Sequence, residues 1–298
     1  MKEYPKISVV TPVYNQAKYL EQTILSVVNQ EYPNLEYIII DGGSTDGTAD
    51  IIRKYANQFE IGDLKLENFI WISEPDKGMY DAIQKGFERS TGEIMCWLNS
   101  DDVFFDKCLF AIADVFMHHP EVEWFSGKSA SIDTKGMITG VDDIEQIRFT
   151  KYDFYLNRAF WIPQSSTVWR RSIWEKIGGS LDTNLRLAGD FDLWLRFINV
   201  APQYVVNTLI GTYRVREGQL SQMMDKYMAE VEVSVKNHPL PAGKLPLLRQ
   251  YARKLKWAER IDKLKIFNGE RVVRLRDFVG KHHLKPDVIK CHKGQKHF

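Results

Sequence analysis

Only three cysteines, Cys96, Cys108 and Cys291, stand in a chain of 298 residues. An odd count at wide spacing excludes a disulfide framework and a cysteine-based zinc site, so all three are expected as reduced thiols. Long apolar runs are missing too: stretches such as Ile7–Val10 and Tyr37–Ile40 fall far short of the ~20 residues of a membrane-spanning helix. Met1 to Pro5 lack the charged start, apolar stretch and cleavage site of a secretory leader, so a cytosolic protein is expected. Nor is there an overall surplus of one charge sign, since 40 Lys+Arg nearly balance 39 Asp+Glu. What is present, 44% hydrophobic and 12% aromatic residues, excludes disordered, collagen-like and low-complexity classes and suffices for a real core. At ~100–200 residues per domain the length allows one or two domains.

The balanced total hides an asymmetry. From Lys244 to Phe298, 16 Lys+Arg face 5 Asp+Glu, a net of +11, while everything upstream carries −10. Residues 239–298 are expected as a basic, mainly helical extension that opens with a Pro-rich linker at Pro239–Pro246. Within it Leu248, Tyr251, Leu255, Ala258 and Ile261 fall on one helical stripe of Leu245–Phe267. Two readings stay open: a helix packed on the main domain, or an interfacial helix drawn to an anionic membrane surface at ~1 kcal/mol per basic residue. Nucleic acid is not an expected partner.

The first 130 residues alternate short β-rich runs with amphipathic stretches of helical period, the pattern of βαβ units and a mostly parallel sheet. Strands are expected near Ile7–Val10, Glu36–Ile40, Phe69–Ser73 and Ile94–Leu98. Beyond Ser131 the rhythm loosens until a helix over Asp190 to Asn199. In open sheets of this kind ligands bind beyond the carboxyl ends of the strands, so acids at those ends are the first candidates for chemistry. Asp41, heading Asp41-Gly42-Gly43-Ser44-Thr45-Asp46-Gly47-Thr48, can accept hydrogen bonds from a ribose or base, unless the segment is only a turn and helix cap. Asn99-Ser100-Asp101-Asp102 offers oxygen ligands for Mg2+ or Mn2+, with a plain turn as the alternative. Asp190, in Gly189-Asp190-Phe191-Asp192-Leu193-Trp194, is either a general base or an acid favoured by a helix dipole. Trp194 lies one turn further on the same side, as a wall for a sugar ring or as core. Gln164, and Trp161, Trp169 and Trp174 around it, are acceptor-site candidates with the same alternative.

Taken together, Ile7-Ser-Val-Val-Thr-Pro-Val-Tyr-Asn15, Tyr37-Ile-Ile-Ile-Asp-Gly-Gly-Ser-Thr-Asp-Gly-Thr48, Glu74-Pro-Asp-Lys-Gly-Met-Tyr-Asp-Ala-Ile-Gln-Lys-Gly86, Trp97-Leu-Asn-Ser-Asp-Asp102 and Ala188-Gly-Asp-Phe-Asp-Leu-Trp194 resemble the family 2 glycosyltransferases in motif, order and spacing, from about Lys6 to Gln222. The resemblance implies an α/β/α sandwich of mostly parallel strands, the nucleotide-diphospho-sugar transferase fold. Residues 1–238 would be the catalytic domain, with a nucleotide-sugar half to about 130 and an acceptor half from 131. It implies an inverting enzyme with a nucleoside diphosphate sugar donor and a divalent metal, acting on a glycan or lipid-linked glycan hydroxyl in cell-surface polysaccharide assembly. Such a protein would sit in the cytoplasm or at the inner face of the plasma membrane. Thr11, Pro12, Tyr14, Asn15, Asp41, Lys77, Asp81, Asn99 and Ser100 would surround the donor, and Asp101, helped by Asp102, would hold the metal. Asp190 would be the base and Arg216 a partner of the diphosphate.

Two positions depart from the family pattern: Asn99 replaces the first acid of its Asp-x-Asp motif, and Gly189 the first of its Glu-Asp pair. These substitutions keep open a non-catalytic sugar-nucleotide binding protein, and a nucleotidyltransferase on the same fold is the other alternative. The Gln-x-x-Arg-Trp motif of the processive synthases is absent, so a single addition is expected.

Overall fold

The computed structural model describes residues 4–142, 149–159, 161–219, 223–262 and 288–289, with residues 261, 262, 288 and 289 described in backbone alone. Strand and helix alternate through β1 (Ile7–Val13), α1 (Ala17–Val28), β2 (Leu35–Asp41), α2 (Thr48–Glu60), β3 (Asn68–Ser73), α3 (Met79–Arg89) and β4 (Ile94–Trp97). The second half runs α4 (Cys108–His118), β5 (Trp124–Ile132), β6 (Ile138–Val141), α5 (Lys151–Tyr155), β7 (Thr167–Arg170), α6 (Arg171–Lys176), α7 (Gly189–Val200), β8 (Tyr204–Arg214), α8 (Met224–Asn237), α9 (Leu245–Asp262) and β9 (Val288–Ile289).

The strands form one mixed sheet in the order β3-β2-β1-β4-β7-β5-β8-β9, with β6 paired to β5. β3, β2, β1 and β4 are mutually parallel, β7 runs antiparallel to β4 and β5, and β5 is parallel to β8. Every residue of β1, β2 and β4 is buried, as a parallel strand covered by helices on both faces must be. The expected α/β architecture with flanking helices is therefore present, and the carboxyl ends of β1, β2 and β4 open on one side.

Tryptophan dominates the core beneath that side. Trp194 is 1% exposed and stacked between Trp97 and Trp124, at 5.7 Å and within 12° of each. Its expected role as a cavity wall is therefore corrected. Helical period puts it on the side of Asp190 but one turn deeper, where two indoles already cover both faces. Of the three tryptophans around Gln164, Trp169 and Trp174 are buried as well, and Trp161, 44% exposed, keeps an open ring.

In the basic extension, the apolar stripe of α9 is spent on the domain. Tyr251, Leu255 and Ala258 are buried, Tyr251 meets the Tyr152 ring at 5.5 Å, and its hydroxyl donates to Asp153 Oδ1 at 2.9 Å. Arg158 pairs with Glu259. This favours the packed reading for the described part. Residues 263–287 and 290–298, with Cys291 and four histidines, lie outside the described residues. Cys96 and Cys108 are free, buried thiols, and among the described residues no helix is long and apolar enough to cross a membrane.

Trp194→Ala should lower unfolding free energy by ~3–5 kcal/mol in a denaturant titration, and Trp161→Ala by no more than ~0.5 kcal/mol. Equal losses would contradict this division between core and surface.

Candidate active site

Beyond the strand ends lies a cavity of about 1000 Å3. Its lining draws on the loops after β1, β2, β3 and β4, on the approach to α7, and on the segment after β8. The loops after β1 and β2 hold each other. Asn15, at φ 49°, donates its N–H to Ser44 Oγ at 2.7 Å and accepts the Thr45 N–H at 2.9 Å. Gln16 and Ala17 donate to Thr48 Oγ1 and Asp46 Oδ2, both at 3.0 Å, which satisfies amides at the start of α1. Asp41 is fully buried and accepts from Ser44 Oγ at 2.5 Å and Ser73 Oγ at 2.6 Å, while Thr11 bonds the Tyr37 hydroxyl. Of the residues expected around a nucleotide, Pro12, Tyr14, Lys77, Asn99 and Ser100 therefore line the cavity. Thr11, Asn15 and Asp41 instead frame it, and Asp81 accepts the Lys77 N–H at 3.0 Å from behind the first turn of α3.

At the end of β4 the acids divide. Asp102 is buried; its Oδ1 accepts the Arg214 N–H at 2.8 Å and its Oδ2 faces Asn99 Nδ2 at 3.4 Å. Burial, then the Asp101 charge, pushes its carboxyl well above the usual range, and its hydrogen bonds anchor the loop beside Asp101. Asp101 Oδ2 accepts from Arg216 Nε at 2.8 Å, and its Oδ1 takes no hydrogen bond from the described residues. Asn99 Oδ1 is buried without a partner among the described residues. These two hard oxygens suit Mg2+ or Mn2+, ions that commonly take one or two protein ligands and complete their shell with water and phosphate. No cluster of three or more His, Cys, Asp or Glu occurs among the described residues. The donor set thus fits a metal shared with substrate. Arg216, expected at a diphosphate, reaches the cavity but is engaged with Asp101.

Asp190 reaches the cavity in the first turn of α7. Its Oδ1 accepts the Phe191 N–H at 2.7 Å, and its own N–H donates to the Tyr80 hydroxyl at 3.3 Å, which in turn donates to Leu187 O at 3.0 Å. Burial raises its carboxyl to about 6, with the Glu230 charge adding to the shift. A Cβ at Gly189 would stand 2.7 Å from the Tyr80 ring, so the ring that positions Asp190 occupies the space of the missing acid.

Four further residues escaped the sequence reading. Glu230 on α8 accepts the N–H groups of Arg186 at 3.0 Å and of Leu187 and Ala188 at 2.8 Å, clamping the approach to Asp190. Arg186 donates to the Lys77 carbonyl across the cavity. Asp76, raised by burial, accepts the Gly78 N–H at 2.7 Å. Asp142 lines the far wall. Only Asp76 lay in a quoted motif; Glu230 and Arg186 act through partners about 40 to 110 residues away, where no spacing rule reaches.

Residues 8–178 match the family model described as Glycosyl transferase family 2. The chain is 30% identical over 211 residues to "Probable glycosyltransferase YdaM" of Bacillus subtilis (strain 168), across 67% of this chain and 48% of that protein. It thus spans about half the length of that relative. Among solved structures it resembles S. aureus TarS 1-349 in complex with UDP-GlcNAc, with TM-score 0.61 and 20% identity, over 80% of this chain and 68% of that one. It also resembles mannosyltransferase PcManGT from Pyrobaculum calidifontis in complex with GDP-Man and Mn2+, with TM-score 0.57 and 17% identity, over 94% and 76%. At such identities the solved structures share the fold.

Glu230→Gln keeps an acceptor oxygen but removes the charge that helps hold Asp190 up. Carboxyl-carbon NMR should find Asp190 titrating below about 6 in this variant. Glu230→Ala should cost ~2 kcal/mol or more, because buried N–H groups lose their acceptor. An Asp190 titration that does not move in Glu230→Gln would show that the clamp acts through geometry alone.

Proposed function

The chain belongs to glycosyl transferase family 2, and we propose that it moves one sugar from a nucleoside diphosphate sugar, with inversion, onto a hydroxyl of a glycan or lipid-linked glycan. One observation carries this reading: Asp101 and Asp190, 89 positions apart, line the same cavity at the carboxyl ends of the parallel strands. One acid sits among cations and the other in a desolvated pocket, which is the division of labour the reaction requires.

Asp190 is the base. A carboxylate raised to about 6 is largely ionised at neutral pH, yet a better proton acceptor than an ordinary aspartate. Its hydrogen bond from Phe191 and the Tyr80–Leu187 bridge beneath it hold it in place for an acceptor hydroxyl. Loss of that proton makes the acceptor oxygen nucleophilic as the anomeric carbon becomes oxocarbenium-like, and attack from the face opposite the leaving group inverts the centre. Arg216, Lys77 and Arg186 line the cavity and can meet the negative charge that grows on the departing diphosphate. A Mg2+ or Mn2+ ion, held by Asp101 with the Asn99 amide oxygen, supplies Lewis-acid stabilisation of the same charge when bound. Pro12, Tyr14 and Asp76 lie at the nucleotide end.

The Gly189 substitution does not speak for a non-catalytic protein, because Tyr80 fills that place and supports the remaining acid. An inner-leaflet location remains part of the proposal through the +11 extension. With Tyr251, Leu255 and Ala258 of α9 buried, that attraction rests on charge.

With UDP-, GDP- and dTDP-sugars and Mn2+, the purified chain should release one nucleoside diphosphate, and Asp101→Ala should slow release by about 100-fold or more. Donor binding by the wild type without turnover, acceptor supplied, would favour the binding-protein reading. The pH profile is a separate check: log kcat/KM should rise with unit slope up to about pH 6 and level off above it. Asp190→Asn should remove that limb and lower the rate by about 100- to 10,000-fold. A limb that survives in Asp190→Asn would move the base elsewhere.

A further inference from the structure

The cavity contains polar atoms that the reaction as described does not use. Asp142 Oδ2 and Gln164 Oε1 are both buried, both line the cavity, and both lack a hydrogen-bond partner among the described residues. Buried polar atoms in native proteins are almost always paired, so two unpaired ones on one wall point to a missing partner. Each is an acceptor. The partner must therefore bring at least two donors.

The backbone that carries Asp142 and the Gln164 side chain are both tied down. Asp142 donates its N–H to Ser129 O at 2.9 Å, and the Ser129 hydroxyl lies 3.3 Å from Ser165 Oγ and donates to Gly211 O at 3.1 Å. Gly211 passes so close to Ser165 that a Cβ there would stand 2.3 Å from the Ser165 carbonyl oxygen. Next to Ser165, Gln164 spends its Nε2 on Trp97 O at 2.7 Å, which leaves its Oε1 as the end without a bond. The corner is thus built before any ligand arrives.

The same wall carries an aromatic pair. The Trp161 indole, 44% exposed, meets Tyr213 edge to face at 5.9 Å, and both line the cavity. Tyr213 is also close enough to Asp142 to feel its charge. A ligand for this wall needs an apolar face for the rings and several O–H groups for the acceptors. A pyranose ring has both, with C–H bonds on its faces and hydroxyls around its edge. Burial raises the Asp142 carboxyl above the usual range and the Lys128 charge opposes that shift, and a carboxyl oxygen accepts a sugar hydroxyl in either protonation state.

We propose that Asp142, Gln164, Trp161 and Tyr213 form the acceptor-sugar subsite, in which a neutral pyranose lies against the aromatic pair and donates hydroxyls to Asp142 and Gln164. This rests on the glycosyltransferase reading but can fail independently of it.

Saturation-transfer NMR tests it on the full chain with four probes, the methyl glycosides of glucose, galactose, mannose and N-acetylglucosamine. At least one should receive saturation at its ring protons, and the signal should fall about fivefold or more in Asp142→Ala and in Trp161→Ala. Trp161→Phe, which keeps a ring, should retain at least half of it. No saturation in any of the four with the wild type, or an undiminished signal in either alanine variant, overturns the subsite. Calorimetric binding of UDP and GDP, measured alongside, separates the two ideas. Nucleotide binding preserved while both alanine variants lose the glycoside supports the subsite. Glycoside binding as expected with neither nucleotide bound leaves the subsite standing and removes the donor reading.

Discussion

Arg214 is a cation the fold has buried, 3% exposed at the end of β8, and meeting its hydrogen-bonding needs draws the site together. Its Nε donates to Asp101 O at 2.7 Å, its Nη1 to Asp133 O at 2.7 Å and its Nη2 to Gln22 Oε1 at 2.8 Å, while its backbone N–H reaches Asp102. Tyr19 covers the guanidinium at 4.7 Å. The planar fork of arginine makes this possible, since five fixed donors can serve several acceptors at once, whereas a lysine ammonium would leave most of them unmet. The consequence is positional. The loop after β4, the start of α1, the β5–β6 turn and the end of β8 cannot move independently, so Asp101 is presented to the cavity by a rigid frame and Arg216, two residues on, is placed to meet it.

That frame explains which parts of the site could be read from residues in order and which could not. β1, β2 and β4 announce themselves as apolar runs because parallel central strands are covered on both faces, and the acids after them follow from where such sheets bind ligands. Asp101 was legible as a cavity residue for that reason, and Asp190 as a helix-start acid and through family resemblance. Depth was not legible. Period 3.6 assigns Trp194 to the side of Asp190 but says nothing of the indoles of Trp97 and Trp124, which arrive from strands β4 and β5 and close over it. Adjacent acids look alike in a sequence too, yet Asp102 turns to the Arg214 amide while Asp101 faces the cavity. Glu230 sits on a helix whose start carries no motif, and its work is done 42 to 44 residues earlier, on three amides before Asp190.

The two departures from the family pattern also become physical statements. Gly189 is there because the Tyr80 ring is there, and Tyr80 supports the backbone of Asp190 at the same time as it excludes a neighbouring side chain. With an acid at 189, two carboxylates would repel one another in a desolvated pocket and push the pKa values apart. With glycine, Asp190 feels burial and the more distant Glu230 instead. Asn99 keeps an oxygen where the family has a carboxylate but removes a negative charge beside Asp101. The cavity mouth then holds fewer anions against Arg216, Lys77 and Arg186, a balance that favours an anionic diphosphate over a neutral ligand at that end.

On the proposed reading the cavity serves its two ligand halves with different groups. Its cations Lys77, Arg186 and Arg216, which line it together with the acids Asp76 and Asp101, would meet the diphosphate. Another part of the lining carries two buried acceptors without a partner among the described residues, Asp142 Oδ2 and Gln164 Oε1, near an aromatic pair. A diphosphate is all acceptor and a sugar edge is rich in donors, so each ligand half matches one set and is poorly served by the other. Asp190 belongs to neither set, being an acid whose own partners are backbone groups of α7 and Tyr80 rather than the cations that hold phosphate. In the proposed reaction its carboxylate is therefore left to compete for one thing, the proton of a hydroxyl brought within reach. Desolvation makes it more avid for that proton than a solvated aspartate would be.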